Sequence, residues 1–176
     1  MHRTMDPETR TDAFRRFYDE HFHRVYNYLF YRTGGDRATA EDLCSDAFRK
    51  ALEAMDRYSG DKGSERAWIC SIAANALRDH LRRKTLRGWL GLDLLADPAG
   101  GETPEAELER DESLARLSAA MAPLGTRERE LLALKFGMRL DNREIARQTG
   151  LSETNVGTIL YRALGRLKAA LSKETP

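Results

Sequence analysis

No uninterrupted apolar stretch approaches the roughly 18 residues that cross a bilayer, and no apolar core follows a basic start as in a secretion leader. Cysteine is scarce. Cys44 and Cys70 stand alone, in no CxxC or other metal-ligand spacing, which excludes a disulfide-framed scaffold and predicts two reduced core thiols. Five prolines exclude a collagenous chain. Period-two alternation of apolar and polar residues is absent, so strands are not expected. Also missing are a phosphate-cradling glycine loop, a nucleophile elbow, an HExxH pair and a carboxylate cluster. His21 and His23, two apart on a helix, diverge and do not share a metal simply. These absences predict a cytoplasmic chain that is not an enzyme, holds no cofactor or metal and inserts in no membrane.

Apolar residues at helical spacing fill the first half: Phe14, Tyr18, Phe22, Val25 and Leu29; then Leu43, Ala47, Leu52 and Met55; then Trp68, Ile72 and Ala76. This predicts helices over about 10–32, 37–57 and 65–84. Gly34-Gly35 and the loop Tyr58 to Gly63 separate them, and Ser64 is placed to cap the third. A second helical group is expected near 105–121, 127–136, 142–149 and 153–172. Asp141 followed by Glu144 forms a capping-box pattern, and Gly137 and Gly150 sit where helices are expected to close in the left-handed conformation. Between the groups, Gly88, Gly91, Pro98, Gly100, Gly101 and Pro104 interrupt any helix. Trp89, Leu90, Leu92, Leu94 and Leu95 are too apolar for a plain spacer and are expected to pack on a neighbouring helix or a partner. The fold expected is all-α: a three-helix domain over 1–87, an acidic linker over 88–112 and a four-helix domain over 113–176.

The net charge of +1 conceals a division along the chain. Residues 1–87 carry 17 basic and 14 acidic side chains, residues 88–112 carry 1 and 8, and residues 113–176 carry 11 and 6. Two basic lobes thus flank an acidic connector. Clustered Lys and Arg reward a polyanionic partner through counterion release, although solvated helical faces produce the same pattern.

The segment Asn142-Arg-Glu-Ile-Ala-Arg-Gln-Thr-Gly-Leu-Ser-Glu-Thr-Asn-Val-Gly-Thr-Ile-Leu-Tyr-Arg162 has the layout of a helix-turn-helix. Small Ala146 admits a second helix, Gly150 makes the turn, and Leu151 with Val156 pins the helices together. In the last helix Val156, Leu160, Ala163, Leu167 and Leu171 form a buried stripe, which leaves Asn155, Thr158, Arg162 and Arg166 opposite. Asn155 is suited to an adenine edge, Thr154 and Thr158 to a thymine methyl or a phosphate, and Arg162 and Arg166 to phosphates.

Larger motifs around this segment resemble a known family. Leu124-Gly-Thr-Arg-Glu-Arg-Glu-Leu-Leu-Ala-Leu-Lys-Phe136, with the helix-turn-helix and Tyr161-Arg162-Ala163-Leu164, is similar to region 4 of bacterial RNA polymerase sigma factors. Ala40-Glu-Asp-Leu-Cys-Ser-Asp-Ala-Phe-Arg-Lys-Ala-Leu52 resembles the region 2 helix that grips the polymerase clamp. Arg66-Ala-Trp-Ile-Cys-Ser-Ile-Ala-Ala-Asn75 resembles the segment that meets the −10 element. The short connector leaves no space for a region 3 domain, an economy that resembles the extracytoplasmic-function subgroup.

This resemblance implies that Asp42, Leu43, Asp46, Phe48 and Lys50 lie on or beside the polymerase-binding helix. It implies that Tyr58, Ser59, Gly60, Asp61 and Lys62 receive a flipped −10 base, with Asn75 nearby and Arg78, Arg82 and Arg83 tracking phosphates. A glycine-containing loop with an aromatic, and a basic helix end, suit extruded bases and single strands. Ser152, Thr154, Asn155, Thr158, Tyr161, Arg162 and Arg166 form the implied −35 duplex-facing set. Ser45, Ser71, Ala74, Ile159 and Leu164 depart from residues common in the family. The partners implied are core RNA polymerase, promoter DNA as duplex and single strand, and an anti-sigma factor, with the chain itself monomeric. A free-standing helix-turn-helix regulator, with a sensor or dimerisation lobe, stays open at this level.

Overall fold

Apolar stripes, caps and left-handed breaks set the helix boundaries. The computed structural model describes residues 7–60, 63–89, 116–117 and 119–173. Helix α1 (Pro7–Arg32) ends at Gly34 and Gly35, whose φ angles of 76° and 89° are left-handed and open to glycine. Asp36 then caps α2 (Arg37–Ala54) by accepting from the Thr39 backbone N–H at 3.0 Å. A single 3₁₀ turn, Met55–Arg57, finishes α2, and the Arg10 guanidinium ties α1 to it by donating to the Leu52 carbonyl at 2.9 Å. Helix α3 (Glu65–Trp89) runs past the expected end near residue 84 and through Gly88. A lone glycine costs a helix interior only about 1 kcal/mol, too little to stop it.

The three helices close on Val25, Tyr28 and Leu29 from α1, Leu43, Ala47 and Phe48 from α2, and Ile69, Ala73 and Leu77 from α3, all buried. Alanines at 47, 51, 73 and 76 let the helix axes approach, while Phe17, Phe48 and Trp68 fill the wider end.

The second lobe is built from α4 (Thr126–Leu132), α5 (Asn142–Thr149) and α6 (Glu153–Lys173). The helix expected over 127–136 becomes α4 followed by one π turn, Ala133–Gly137. Gly137 also departs from expectation: it is Arg139, with φ 54°, that turns left-handed. A Cβ on Gly137 would stand 3.1 Å from the Tyr28 N and Cα atoms, so the glycine serves close approach to α1. That contact joins the lobes. One continuous buried cluster runs from Phe17 through Tyr28 to Met138 and Ala163. The apolar run from Leu90, the acidic stretch and most of the helix expected over 105–121 lie outside the described residues. Among the described residues no helix is long and apolar enough to cross a membrane.

Candidate nucleic-acid interface

The helix-turn-helix forms as its caps dictate. Asp141 accepts from the Glu144 N–H at 2.7 Å while the Glu144 carboxylate accepts from the Asp141 N–H at 3.0 Å, completing the capping box. Gly150 closes α5 at φ 71°, and its N–H donates to the Ala146 carbonyl at 2.9 Å. Ser152 is exposed and caps α6: its Oγ accepts from the Asn155 N–H at 3.2 Å. Val156, Leu160 and Ala163 are buried, and Thr154, Asn155, Thr158 and Arg162 project outward beside Tyr161, which is 81% exposed. Arg166 is also exposed, but its guanidinium donates to Glu128 at 3.1 Å and ties α6 to the start of α4. Ile159 is half-buried and Leu164 is 41% exposed. Ile159 packs against the core, and Leu164 borders an apolar groove of about 300 Å³ with Tyr31, Leu117, Phe136 and Leu167.

On α2 the implied polymerase-binding set splits. Asp42 is exposed and Asp46 half-buried, whereas Leu43 and Phe48 point into the core at 6% and 3% exposure. Leu43 and Phe48 lie on α2 with side chains in the stripe that faces α1 and α3. Asp46 lies between Lys50, at 2.7 Å, and Arg49. Partial burial pushes its carboxyl pKa up, but the hydrogen bonds and charges of Lys50 and Arg49 outweigh this and hold it below the ordinary value.

The loop after the 3₁₀ turn is pinned from one end. The Tyr58 hydroxyl donates to the Gly63 carbonyl at 2.8 Å, and its ring lies 4.8 Å from Trp68, which itself packs 5.6 Å from Phe17. Trp68 thus staples the loop to the three-helix core. Ser59 and Gly60 are exposed, with Gly60 at φ 76°; Asp61 and Lys62 lie outside the described residues. Along α3, Asn75 is exposed and accepts from Arg78 at 2.8 Å, Arg82 lies 3.4 Å from Asp79, and Arg83 donates to the Asp79 carbonyl at 3.3 Å. Asn75, Arg78, Arg82 and Arg83 form one exposed strip, with Lys84 beside it.

Spacing alone missed a polar bridge between the lobes. Glu144, 5% exposed, accepts from the Ser64 hydroxyl at 2.7 Å and from Arg66 at 3.2 Å. Burial pushes the Glu144 carboxyl up, yet these donors and the Asp141 N–H more than offset it and keep the pKa below normal. Gln148, one turn later, donates to the Ala67 carbonyl at 2.8 Å. The sequence signal at Glu144 was a capping box, which does not disclose a partner nearly 80 residues away, and Gln148 carried none.

Among the described residues, the cluster compact enough to hold a divalent ion is Glu20, His21 and Glu65, whose ligand atoms lie within 4.8 Å of one another. Both carboxylates are exposed while His21 is buried, with Nε2 3.7 Å from Glu65. Cys44 and Cys70 are free and buried, and burial pushes both thiols up to about 12, which leaves them protonated and poorly nucleophilic at neutral pH.

Comparison with known proteins agrees with this geometry. Family models for sigma-70 region 2 and sigma-70 region 4 match residues 17–87 and 114–167. A Streptomyces coelicolor protein named ECF RNA polymerase sigma factor BldN is 34% identical over 161 residues, covering 91% of this chain and 61% of the relative. RNA polymerase sigma factor CnrH of Cupriavidus metallidurans is 31% identical over 143 residues, covering 77% of this chain and 74% of CnrH. The fold is also similar to that of the sigma factor RpoE solved with the anti-sigma factor NepR from Bartonella quintana, at a TM-score of 0.72 and 19% identity, covering 92% of this chain and 98% of that one. With both regions matched in order on an all-helical fold whose last helices form a capped helix-turn-helix, the chain belongs to the sigma-70 family of RNA polymerase sigma factors, in its ECF subgroup.

Proposed function

We propose that this chain binds core RNA polymerase through α2, directs it to promoters through α6 at the −35 duplex, and captures the melted −10 strand along the Tyr58–Gly63 loop and α3. The observation that carries this reading is the outward face of α6. Thr154, Asn155, Thr158, Tyr161 and Arg162 project from a helix held by a serine cap, a left-handed glycine turn and a buried stripe, which is how a recognition helix is presented to a major groove. The strip Asn75, Arg78, Arg82 and Arg83 supplies phosphate contacts, and Tyr58 with Ser59 and Gly60 supplies the edge where a base is received. Asp42 and Asp46 present carboxylates to the polymerase.

The family is non-catalytic, and melting draws on binding: capture of an extruded base offsets an unstacking cost of roughly a few kcal/mol. Residues 1–87 and 113–176 act as the two binding domains, joined by the linker over 88–112. The protein works in the cytoplasm as a monomer, and an anti-sigma factor is its regulatory partner. The test is titration of fluorescently labelled protein with bacterial core polymerase. Saturable binding that is lost in Asp42→Arg/Asp46→Arg is the expected outcome, and absence of saturation at low salt overturns the reading.

A further inference from the structure

His21 is a buried polar group that packing alone does not account for. It is 2% exposed on α1, and neither ring nitrogen has a hydrogen-bond partner, a rare state in native proteins that calls for an ion or a water at the site. Its Nε2 atom is aimed at the Glu65 carboxylate at 3.7 Å, and Glu20 closes the group, with all three ligand atoms within 4.8 Å of one another. The spacing separates two kinds of contact. It is longer than a hydrogen bond, whereas two ligands each about 2.1 Å from one tetrahedral ion stand about 3.4 Å apart. Phe17 holds the imidazole edge-on, with ring centroids 4.8 Å apart, and burial lowers the His21 pKa, which keeps the ring in its neutral, metal-binding form at neutral pH. Arg24 competes only weakly for Glu20: its guanidinium donates to the Glu20 carbonyl at 3.0 Å and reaches the carboxylate at 3.8 Å.

We propose that Glu20, His21 and Glu65 form a site for a first-row divalent transition ion of the zinc class, which ties the first turn of α3 to α1. One imidazole with two carboxylates is a mixed donor set that such ions accept, while Mg²⁺ and Ca²⁺ favour oxygen alone. Both carboxylates are exposed, so the ion enters from solvent and water completes its coordination. Spacing within α1 offers no such site, because His21 and His23 diverge; Glu65 supplies the further ligand only once α3 packs on α1. With no acceptor at Nδ1 to reinforce the ring, binding is weaker than in a closed structural zinc site. An ion held only by the folded chain stabilises that fold by mass action.

The test uses the untagged full chain, stripped with a chelator and returned to a non-coordinating buffer at neutral pH. Zn²⁺ is titrated by calorimetry, Co²⁺ by its visible ligand-field absorption, and thermal melting is followed against free metal concentration. The expected result is saturation at one ion per chain, a melting temperature that climbs with the logarithm of metal concentration, and cobalt bands without a thiolate charge-transfer component, since Cys44 and Cys70 are buried. His21→Gln and, separately, the exposed-site variant Glu65→Gln should each weaken binding by about tenfold or more, the cost of losing even an outer-shell partner, while His23→Gln leaves it unchanged. Circular dichroism without metal establishes that each variant is folded, and Glu65→Gln carries the test should His21→Gln unfold. Absence of saturable binding overturns the site. So does binding that survives Glu65→Gln, or binding that Mg²⁺ displaces at equal concentration, which would reveal only an acidic patch.

Discussion

Leu43 and Phe48 face inward from α2 while Asp42 faces out, so neighbouring residues of one motif make opposite predictions. Phe48→Ala removes a ring that packs 6.1 Å from Phe17 and 4.7 Å from Tyr18, and is expected to cost about 3–5 kcal/mol in urea denaturation. Asp42→Arg, on the surface, should stay within about 0.5 kcal/mol of wild type while abolishing polymerase binding. His21 carries a second residue-scale prediction. It is 2% exposed with neither ring nitrogen hydrogen-bonded; burial, only partly offset by Glu20 and Glu65, lowers its pKa below 6.5. The unfolded chain therefore takes up a proton on His21 more readily than the folded one, and stability rises with pH in the window below 6.5. The melting temperature should fall between about pH 7 and 5.5, and His21→Gln should flatten that slope relative to wild type.

At the scale of elements, the helix-turn-helix depends on two small devices. Gly150→Ala places a Cβ on a backbone at φ 71° with nothing within 4 Å to collide with, so its cost is conformational alone, about 1 kcal/mol. Asp141→Ala removes the cap of α5 and leaves the Glu144 N–H without its side-chain acceptor, for about 1–2 kcal/mol. Both losses should appear as shifts in the urea midpoint at constant slope, because neither changes the surface exposed on unfolding. The α5 and α6 boundaries were legible because caps and left-handed glycines act within a few residues. The π turn was not. Ala133 to Gly137 carry ordinary helix-forming spacing, and the turn shapes itself to Tyr28 on a helix more than 100 positions away. The burial of Leu43 and Phe48 was not legible in the motif for a related reason: one helical stripe serves both the core and the motif.

Over the whole molecule, DNA binding should follow salt as its phosphate contacts dictate. Arg162→Gln is expected to weaken promoter-duplex binding across sequences and to reduce the slope of log K against log salt by about 1, read by anisotropy across a salt series. Arg166→Gln combines a smaller binding effect with lost stability, because its guanidinium is engaged by Glu128. Helix content, the order of the two regions, the outward polar face of α6 and the basic strip of α3 followed from sequence alone, since periodicity, caps and side-chain chemistry are local properties of a chain. Tertiary structure decided what those properties cannot reach: that the two lobes share one core, that Gly137 is small to admit Tyr28, and that the capping residue Glu144 also spans to Ser64 and Arg66. Such contacts depend on which surfaces meet, and packing between elements distant in sequence leaves no spacing in the chain from which to read it.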